Sequence, residues 1–356
     1  MFKKSIITIL SVCLFWAGTL SAQDRSGMDY RYDVPLPEST FRGDWQFHME
    51  AGTVEELPYN IRIDGYNPLG SLVFQEDSQT MTDSTVFTWD LTEELAAKRV
   101  QSLVVSSNAP LKGALWMWND LFGLFNGVSL NEQTAQSLVI RHIPSNFFAW
   151  NTSVSVMGVA PAGVLGDITF SYSDNQSLNP EGVVWRGLNA GGIYVGTPNH
   201  NILIGGLDNN TFVTWGLMGS TDPNFLISGY QSFFRNDGIV QGAAVELAPS
   251  GQDKGYVGFS DDRNYSELFA FTNPVGQSVQ VNFTLTHRVG NDLTGYVTEQ
   301  IKQTRSIDPF QRHNLVLGAS DFFPQVGTPL FMEFEAHNDL AEPAEVHAVH
   351  IQSNEE

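Results

Sequence analysis

From residue 44 onward apolar and polar side chains alternate with a period of two, in runs that come in pairs separated by reversal residues. Tyr59-Asn60-Ile61-Arg62-Ile63 leads through Asn67-Pro68-Leu69-Gly70 into Ser71-Leu72-Val73-Phe74. Trp150 to Val156 leads through Pro161-Ala162-Gly163 into Asp167 to Tyr172, and Tyr265 to Phe271 leads through Asn273-Pro274-Val275-Gly276 into Val279 to Leu285. Every second side chain of a strand lies on one face, and Pro, Gly and Asn supply the preset or positive φ of the turn between strands. The pattern therefore predicts hairpins. A second marker follows in each copy, at Trp116-Met117-Trp118-Asn119-Asp120, Phe233-Phe234-Arg235-Asn236-Asp237-Gly238 and Phe334-Glu335-Ala336-His337-Asn338-Asp339. The prolines recur at intervals of 93 and 113 residues and the asparagines at 117 and 102, so both markers predict three copies of one unit.

An antiparallel sheet with one apolar face must bury it, and at this unit size a second sheet packed on the first does so. The expected fold is all-β, with tandem antiparallel β-sandwiches over residues 44–133, 134–249 and 250–356. The one helix signal is Asp90 to Lys98, where Asp90 and Glu93 have the spacing of a capping box. Residues 23–43, with Pro35, Pro37 and few apolar side chains, read as a flexible entry segment.

The first residues place this fold outside the cytoplasm. Lys3-Lys4, an apolar run from Ile6 to Leu20 and the small residues Ser21-Ala22 form a secretory signal peptide over residues 1–22, leaving Gln23 as the first mature residue. That run is shorter than the ~20 apolar residues of a bilayer span, and no transmembrane segment is expected after cleavage. The single cysteine, Cys13, lies within the signal, which excludes disulfides and thiolate metal sites from the mature protein. Net charge is −21, and −23 once Lys3 and Lys4 are removed. Such a surface repels nucleic acid and anionic membrane and suits a solvated extracytoplasmic protein or a binder of cations.

With these turns and their flanking strands the chain resembles exported bacterial proteins built of tandem immunoglobulin-like sandwich repeats, although it lacks the Cys…Trp…Cys core of true immunoglobulin domains. The resemblance implies this architecture and a place in the periplasm, at the cell surface or in the medium, and brings no catalytic residues with it.

The candidate polar face is Glu333, Glu335, His337 and Asp339, spaced so that a regular strand would put all four on one side. Such a face offers a site for a cation such as Ca2+, or a carboxylate pair for glycoside hydrolysis, or else an ordinary solvated strand. Aligning the Asn-Asp turns sets Glu335 opposite Phe233 and Trp116, which favours the solvated strand. Trp116 and Trp118 alternate with Leu115 and Met117, and apolar residues on both faces predict a buried strand. His347 and His350 fall on opposite faces and would share no metal. No Gly-x-Ser-x-Gly, phosphate-loop or His-Glu-x-x-His motif occurs, and no catalytic, cofactor-binding or metal-ligating residue is assigned.

The function expected on these grounds is that of a non-enzymatic exported interaction or structural protein whose partner is a protein or glycan of the cell envelope. The alternatives are a glycan-binding or glycan-hydrolysing secreted protein and an outer-membrane β-barrel, the latter because alternating strands rich in Gly, Asn and aromatics also describe one.

Overall fold

The computed structural model describes residues 27–36, 45–53, 58–78, 80–82, 86–119, 124–130, 134–143, 150–161, 163–174, 177–196, 213–235, 242–259, 265–291, 295–318, 321–324 and 327–354. The expected signal peptide, residues 1–22, lies outside these residues. Unit 1 holds β1 (Tyr30–Pro35), β2 (Trp45–Thr53), β3 (Ile61–Tyr66), β4 (Leu72–Asp77), β5 (Phe87–Asp90), α1 (Thr92–Lys98), β6 (Ser102–Ser107), β7 (Leu111–Asn119) and β8 (Leu124–Ser129). Unit 2 holds β9 (Ser137–Ile140), β10 (Trp150–Val159), β11 (Leu165–Ser173), β12 (Leu178–Asn189), β13 (Ile193–Gly196), β14 (Trp215–Ser220), β15 (Leu226–Arg235) and β16 (Gly242–Glu246). Unit 3 holds β17 (Lys254–Gly258), β18 (Tyr265–Thr272), β19 (Val279–Asn291), β20 (Gly295–Ile307), β21 (Arg312–Val316), β22 (Thr328–His337) and β23 (His347–Asn354).

The three units have one strand order. Unit 1 packs β1-β6-β3-β4 on β5-β2-β7-β8, unit 2 packs β9-β14-β11-β12 on β13-β10-β15-β16, and unit 3 packs β17-β22-β19-β20 on β21-β18-β23. Counted within each unit the order is 1-6-3-4 over 5-2-7, and an eighth strand extends the second sheet in units 1 and 2. The pairing of strand 2 with 5 and of 3 with 6 is that of an immunoglobulin sandwich, but strand 1 joins strand 6 and strand 7 joins strand 2, so the flanking strands are exchanged. Among the described residues all six sheets are open, with none closed into a barrel, which sets aside the outer-membrane barrel. Among the described residues no helix is long and apolar enough to cross a membrane.

Each core follows from alternation. Along β19, Val279, Val281, Phe283 and Leu285 are buried against Phe271, Phe322 and Phe334, while Gln280, Asn282 and Thr284 point outward. Phe271, Phe283, Phe322 and Phe334 meet edge to face, with ring centroids 5.0 to 5.2 Å apart.

Four expectations need correction. Tyr30–Pro35, inside the expected entry segment, is a strand paired to β6, with Tyr32 and Val34 buried in the first core. The helix starts at Thr92 without a side-chain cap: Asp90 accepts instead from the Thr92 N–H at 3.0 Å, and those hydrogen bonds hold its carboxylate below the usual range. The Pro-x-Gly turns are not equivalent, since Pro68 joins strands 3 and 4 of its unit while Pro161 and Pro274 join strands 2 and 3. The Asn-Asp pairs also differ. Asn119 closes a seventh strand, but Asn338 follows a sixth strand and leads into the opposite sheet, and Asp120 with Asn236-Asp237-Gly238 lies outside the described residues. Register gives the true correspondence: Trp45, Trp150 and Tyr265 open strand 2 and pair with Asn119, Arg235 and Asn354.

Side chains that grip main-chain carbonyls join the units. Between units 1 and 2, Ser102 Oγ donates to Gly191 O at 2.6 Å, Asn189 Nδ2 to Leu69 O at 2.9 Å and Ser228 Oγ to Asp33 O at 3.0 Å. Gly70 and Gly191 make this joint possible, because both have positive φ and a Cβ on either would strike, respectively, Ala190 O at 2.5 Å or the Tyr66 ring at 2.8 Å. Between units 2 and 3, the buried Arg312 donates to Ile143 O and Thr214 O, while Trp215 Nε1 and Ser173 Oγ both donate to Phe310 O, at 2.9 and 2.6 Å. Thr272 Oγ1 donates to Arg141 O at 2.8 Å across the same joint.

Candidate functional site

The outer faces of the sandwiches carry the candidate chemistry. In unit 3, Glu333 and Glu335 project outward from β22, alternating with the buried Met332, Phe334 and Ala336, and His337 shares their side. Cross-strand register sets Lys254 opposite Glu335 and the exposed Tyr256 opposite Glu333. Asn282 Nδ2 donates to His337 Nε2 at 2.7 Å, and Thr304 Oγ1 donates to Asn282 Oδ1 at 2.7 Å, so this imidazole nitrogen is committed to a ladder across β20, β19 and β22. Asp339 is not on the strand. It sits exposed in a turn organised by Asn338 Oδ1, which accepts from Leu340 N and Glu342 N at 2.9 and 3.0 Å. The structure thus brings three of the four candidate residues to one face, each beside polar groups of neighbouring strands. Among the described residues no group of three or more His, Asp or Glu is placed to hold a metal.

Unit 1 presents a face that the sequence pattern assigns differently. Leu115 and Met117 enter the core, but Trp116 and Trp118 lie half-buried on the outer side of β7 rather than inside a doubly covered strand. Two rings at i and i+2 of a strand stand about 7 Å apart. Beside them, across the ladder, Trp118 faces Gln46 and Trp116 faces His48. Trp116 Nε1 donates to Glu50 Oε2 at 3.1 Å, and His48 Nε2 lies 3.8 Å from Glu50 Oε1. The other flank of Trp116 is Gly127 of β8, where a Cβ would meet the indole ring at 2.5 Å. The glycine leaves the space that the tryptophan covers. The arrangement is an aromatic surface edged by an amide, an imidazole and a carboxylate, suited to stacking on a ligand ring and hydrogen bonding to its rim. The missed signal was the glycine facing a tryptophan, which register alone reveals.

A cavity of about 900 Å³ opens at one end of unit 1, walled by Trp45, Phe47, Leu69, Val73, Leu95 and Val100, with Glu93 and Lys98 at its rim. Asn67, Thr92, Arg99 and Gln101 also line it, so its walls are mixed. At the joint of units 2 and 3, burial and the neighbouring Arg141 push His347 down to about 4, and burial beside Arg312 holds His142 well below the usual histidine range.

A scan against protein-family models, a search of curated proteins and a search of solved structures each found no match to this chain. The functional reading therefore rests on the faces and joints described above.

Proposed function

We propose that the chain is a non-enzymatic exported interaction protein of the periplasm or cell surface, in which three sandwiches act as spacer and recognition surface. The observation that carries this reading is the construction of the joints. Hydroxyl, amide, indole and guanidinium donors of one unit grip main-chain oxygens of the next, which fixes the outer faces at set separations. A net charge of −21 and a basic, apolar, small-residue start support export. Fractionation of the producing cell tests the location: mature protein beginning at Gln23 outside the cytoplasm is expected, and full-length protein confined to the cytoplasm would overturn it. Affinity capture from envelope fractions tests the role, and catalytic turnover with no captured partner would defeat it.

The second reading is glycan binding, and the Trp116 and Trp118 face favours it. A glycan array on the wild-type protein, repeated with Trp116→Ala, tests this. Binding that the substitution abolishes supports the reading, and silence across plant, algal and bacterial polysaccharides removes it.

A further inference from the structure

The connection from strand 5 to strand 6 closes the same end of units 1 and 3, since in both strand 5 finishes beside the start of strand 2, but it does so in two ways. In unit 3, between β21 and β22, it sends Phe322 and Phe323 into the sandwich. Both are fully buried, and Phe322 meets Phe269 and Phe283 with ring centroids 6.3 and 5.2 Å apart. In unit 1 the connection is α1, which buries Leu91 and Leu95 and carries no aromatic residue. The cavity of about 900 Å³ opens here, bounded by α1, the start of β2 and the turn at Asn67, Pro68 and Leu69. An end that unit 3 fills with its own phenyl rings has room in unit 1 for rings supplied from outside.

Hydrogen bonds hold the walls in place without a ligand. Trp45 and Phe47, two positions apart on β2, have ring centroids 6.5 Å apart and planes only 27° from parallel, so together they form a nearly flat aromatic wall. The Phe47 N–H donates to Thr92 Oγ1 at 3.0 Å and the Leu91 N–H to Phe47 O at 2.9 Å, which pins α1 to that wall. In the turn, Asn67 Oδ1 accepts from the Leu69 and Ser71 N–H groups, both at 3.0 Å, and unit 2 grips it from outside through Ile193 N–H to Pro68 O at 3.2 Å. A preformed cavity of this size takes a ligand of several fused or linked rings at little ordering cost.

The charge at the mouth sets the other half of the ligand. In a chain with 18 basic and 39 acidic residues, Lys98-Arg99 is the only adjacent basic pair after Lys3-Lys4, and both side chains line this cavity. Both are exposed, and among the described residues neither is ion-paired; Lys98 Nζ lies over the Phe74 ring, 4.9 Å from its centroid. The one carboxylate among the described lining residues, Glu93, belongs to the first turn of α1, roughly 9 Å along the helix axis from Arg99 at its C-terminal cap. The mouth therefore has a cationic end that the protein's own acids leave uncompensated. We propose that the cavity binds an aromatic carboxylate, its rings against Trp45 and Phe47 and its carboxylate on the Arg99 guanidinium with Lys98 beside it. This small-molecule site is additional to the interaction role.

The test titrates the full chain with anilinonaphthalene sulfonate, an aromatic anion that fluoresces in apolar sites, and with N-phenylnaphthylamine, which has the same rings and no charge. Saturable one-to-one binding is expected, several-fold tighter for the anion. Arg99→Gln should weaken the anion roughly tenfold, through loss of one charge-assisted contact, and leave the neutral compound unaffected. Ala96→Phe, at an exposed helix position that lines the cavity, should abolish binding of both, whereas Ala97→Phe, exposed but outside the lining, should change neither. Wild-type melting profiles show that these losses arise in the cavity, and if Ala96→Phe melts early the contrast between the two compounds in Arg99→Gln decides alone. Naphthoate should displace the bound anion and dodecanoate should not, because a flat aromatic wall favours rings over an acyl chain. Displacement by dodecanoate with naphthoate inert would overturn the ligand class. Binding that both Arg99→Gln and Ala96→Phe leave intact would mark an adventitious additive only and overturn the site, as would the absence of saturable binding.

Discussion

Arg312, in the third sandwich, donates from its guanidinium to the main-chain carbonyl of Thr214 in the second, and the same group reaches Ile143 O. Burial pulls its pKa down to about 10, still far enough above neutrality to keep it charged. Replacing it with methionine keeps the apolar stem but leaves two buried carbonyls unserved, at a cost of about 2 to 3 kcal/mol. In calorimetry the unit 3 transition of Arg312→Met should move to lower temperature and separate from the rest. An unchanged thermogram would show that the joint does not couple the units.

The same joint should respond to acid. His347 has a folded pKa of about 4 against an ordinary value of 6.5, so protonation favours the unfolded chain. The stability this site contributes is complete above about pH 6.5 and is lost as pH falls toward 4, about 2 kcal/mol of it by pH 5. His142, also held low, acts in the same direction. Urea unfolding at pH 7 and pH 5 measures the loss. His347→Gln should flatten the dependence, and an equal slope in that variant would assign the effect elsewhere.

At the first joint, Gly70→Ala should be costly for two reasons: φ of +79° disfavours any side chain, and the new Cβ would lie 2.5 Å from Ala190 O. A loss of roughly 2 to 4 kcal/mol in urea unfolding is expected, with Gly163→Ala as the control. Gly163 has a similar φ of +83° but open space around it, so the difference between the two variants isolates the inter-unit contact.

For the unit 1 face, Gly127→Val should push Trp116 off its seat, because a Cβ there would stand 2.5 Å from the indole. Tryptophan fluorescence should change while the fold persists, and any glycan retention by the wild type should fall. Retention unaffected by this variant would exclude the face as the binding surface.

How much of this was legible in the sequence depends on range. Period-2 alternation and reversal residues exposed the all-β class and its antiparallel strands, because side-chain direction and turn chemistry are local properties. Equivalence between copies was not legible. Tyr59 and Trp45 both lead alternating runs, and only pairing with β7 shows that Trp45 corresponds to Trp150 and Tyr265. Asn338 imitates Asn119 because the same residues reverse any strand, whether it stays in its sheet or crosses to the other. Glu333 and Glu335 were placed on one face correctly for the local reason, whereas Asp339 was not, since the Asn338-Asp339 reversal ends β22 at His337 and two-residue periodicity cannot be carried through a turn. The Pro35 and Pro37 content hid β1, whose edge position tolerates proline at the strand end.

The joints distribute their constraints unequally between the two sides. Gly191, Leu69, Asp33, Phe310, Ile143 and Thr214 contribute carbonyl oxygens, which every amino acid carries, while Ser102, Asn189, Ser228, Trp215 and Arg312 contribute donors that few can replace. Codons on the accepting side can therefore drift as long as the backbone keeps its path, Gly191 excepted because a Cβ there would strike the Tyr66 ring at 2.8 Å, and those on the donating side cannot. Coupling between neighbouring units is thus encoded in conformation on one flank and in residue identity on the other, so saturation mutagenesis across a joint should read as tolerant along one strand of contact and intolerant along its mate.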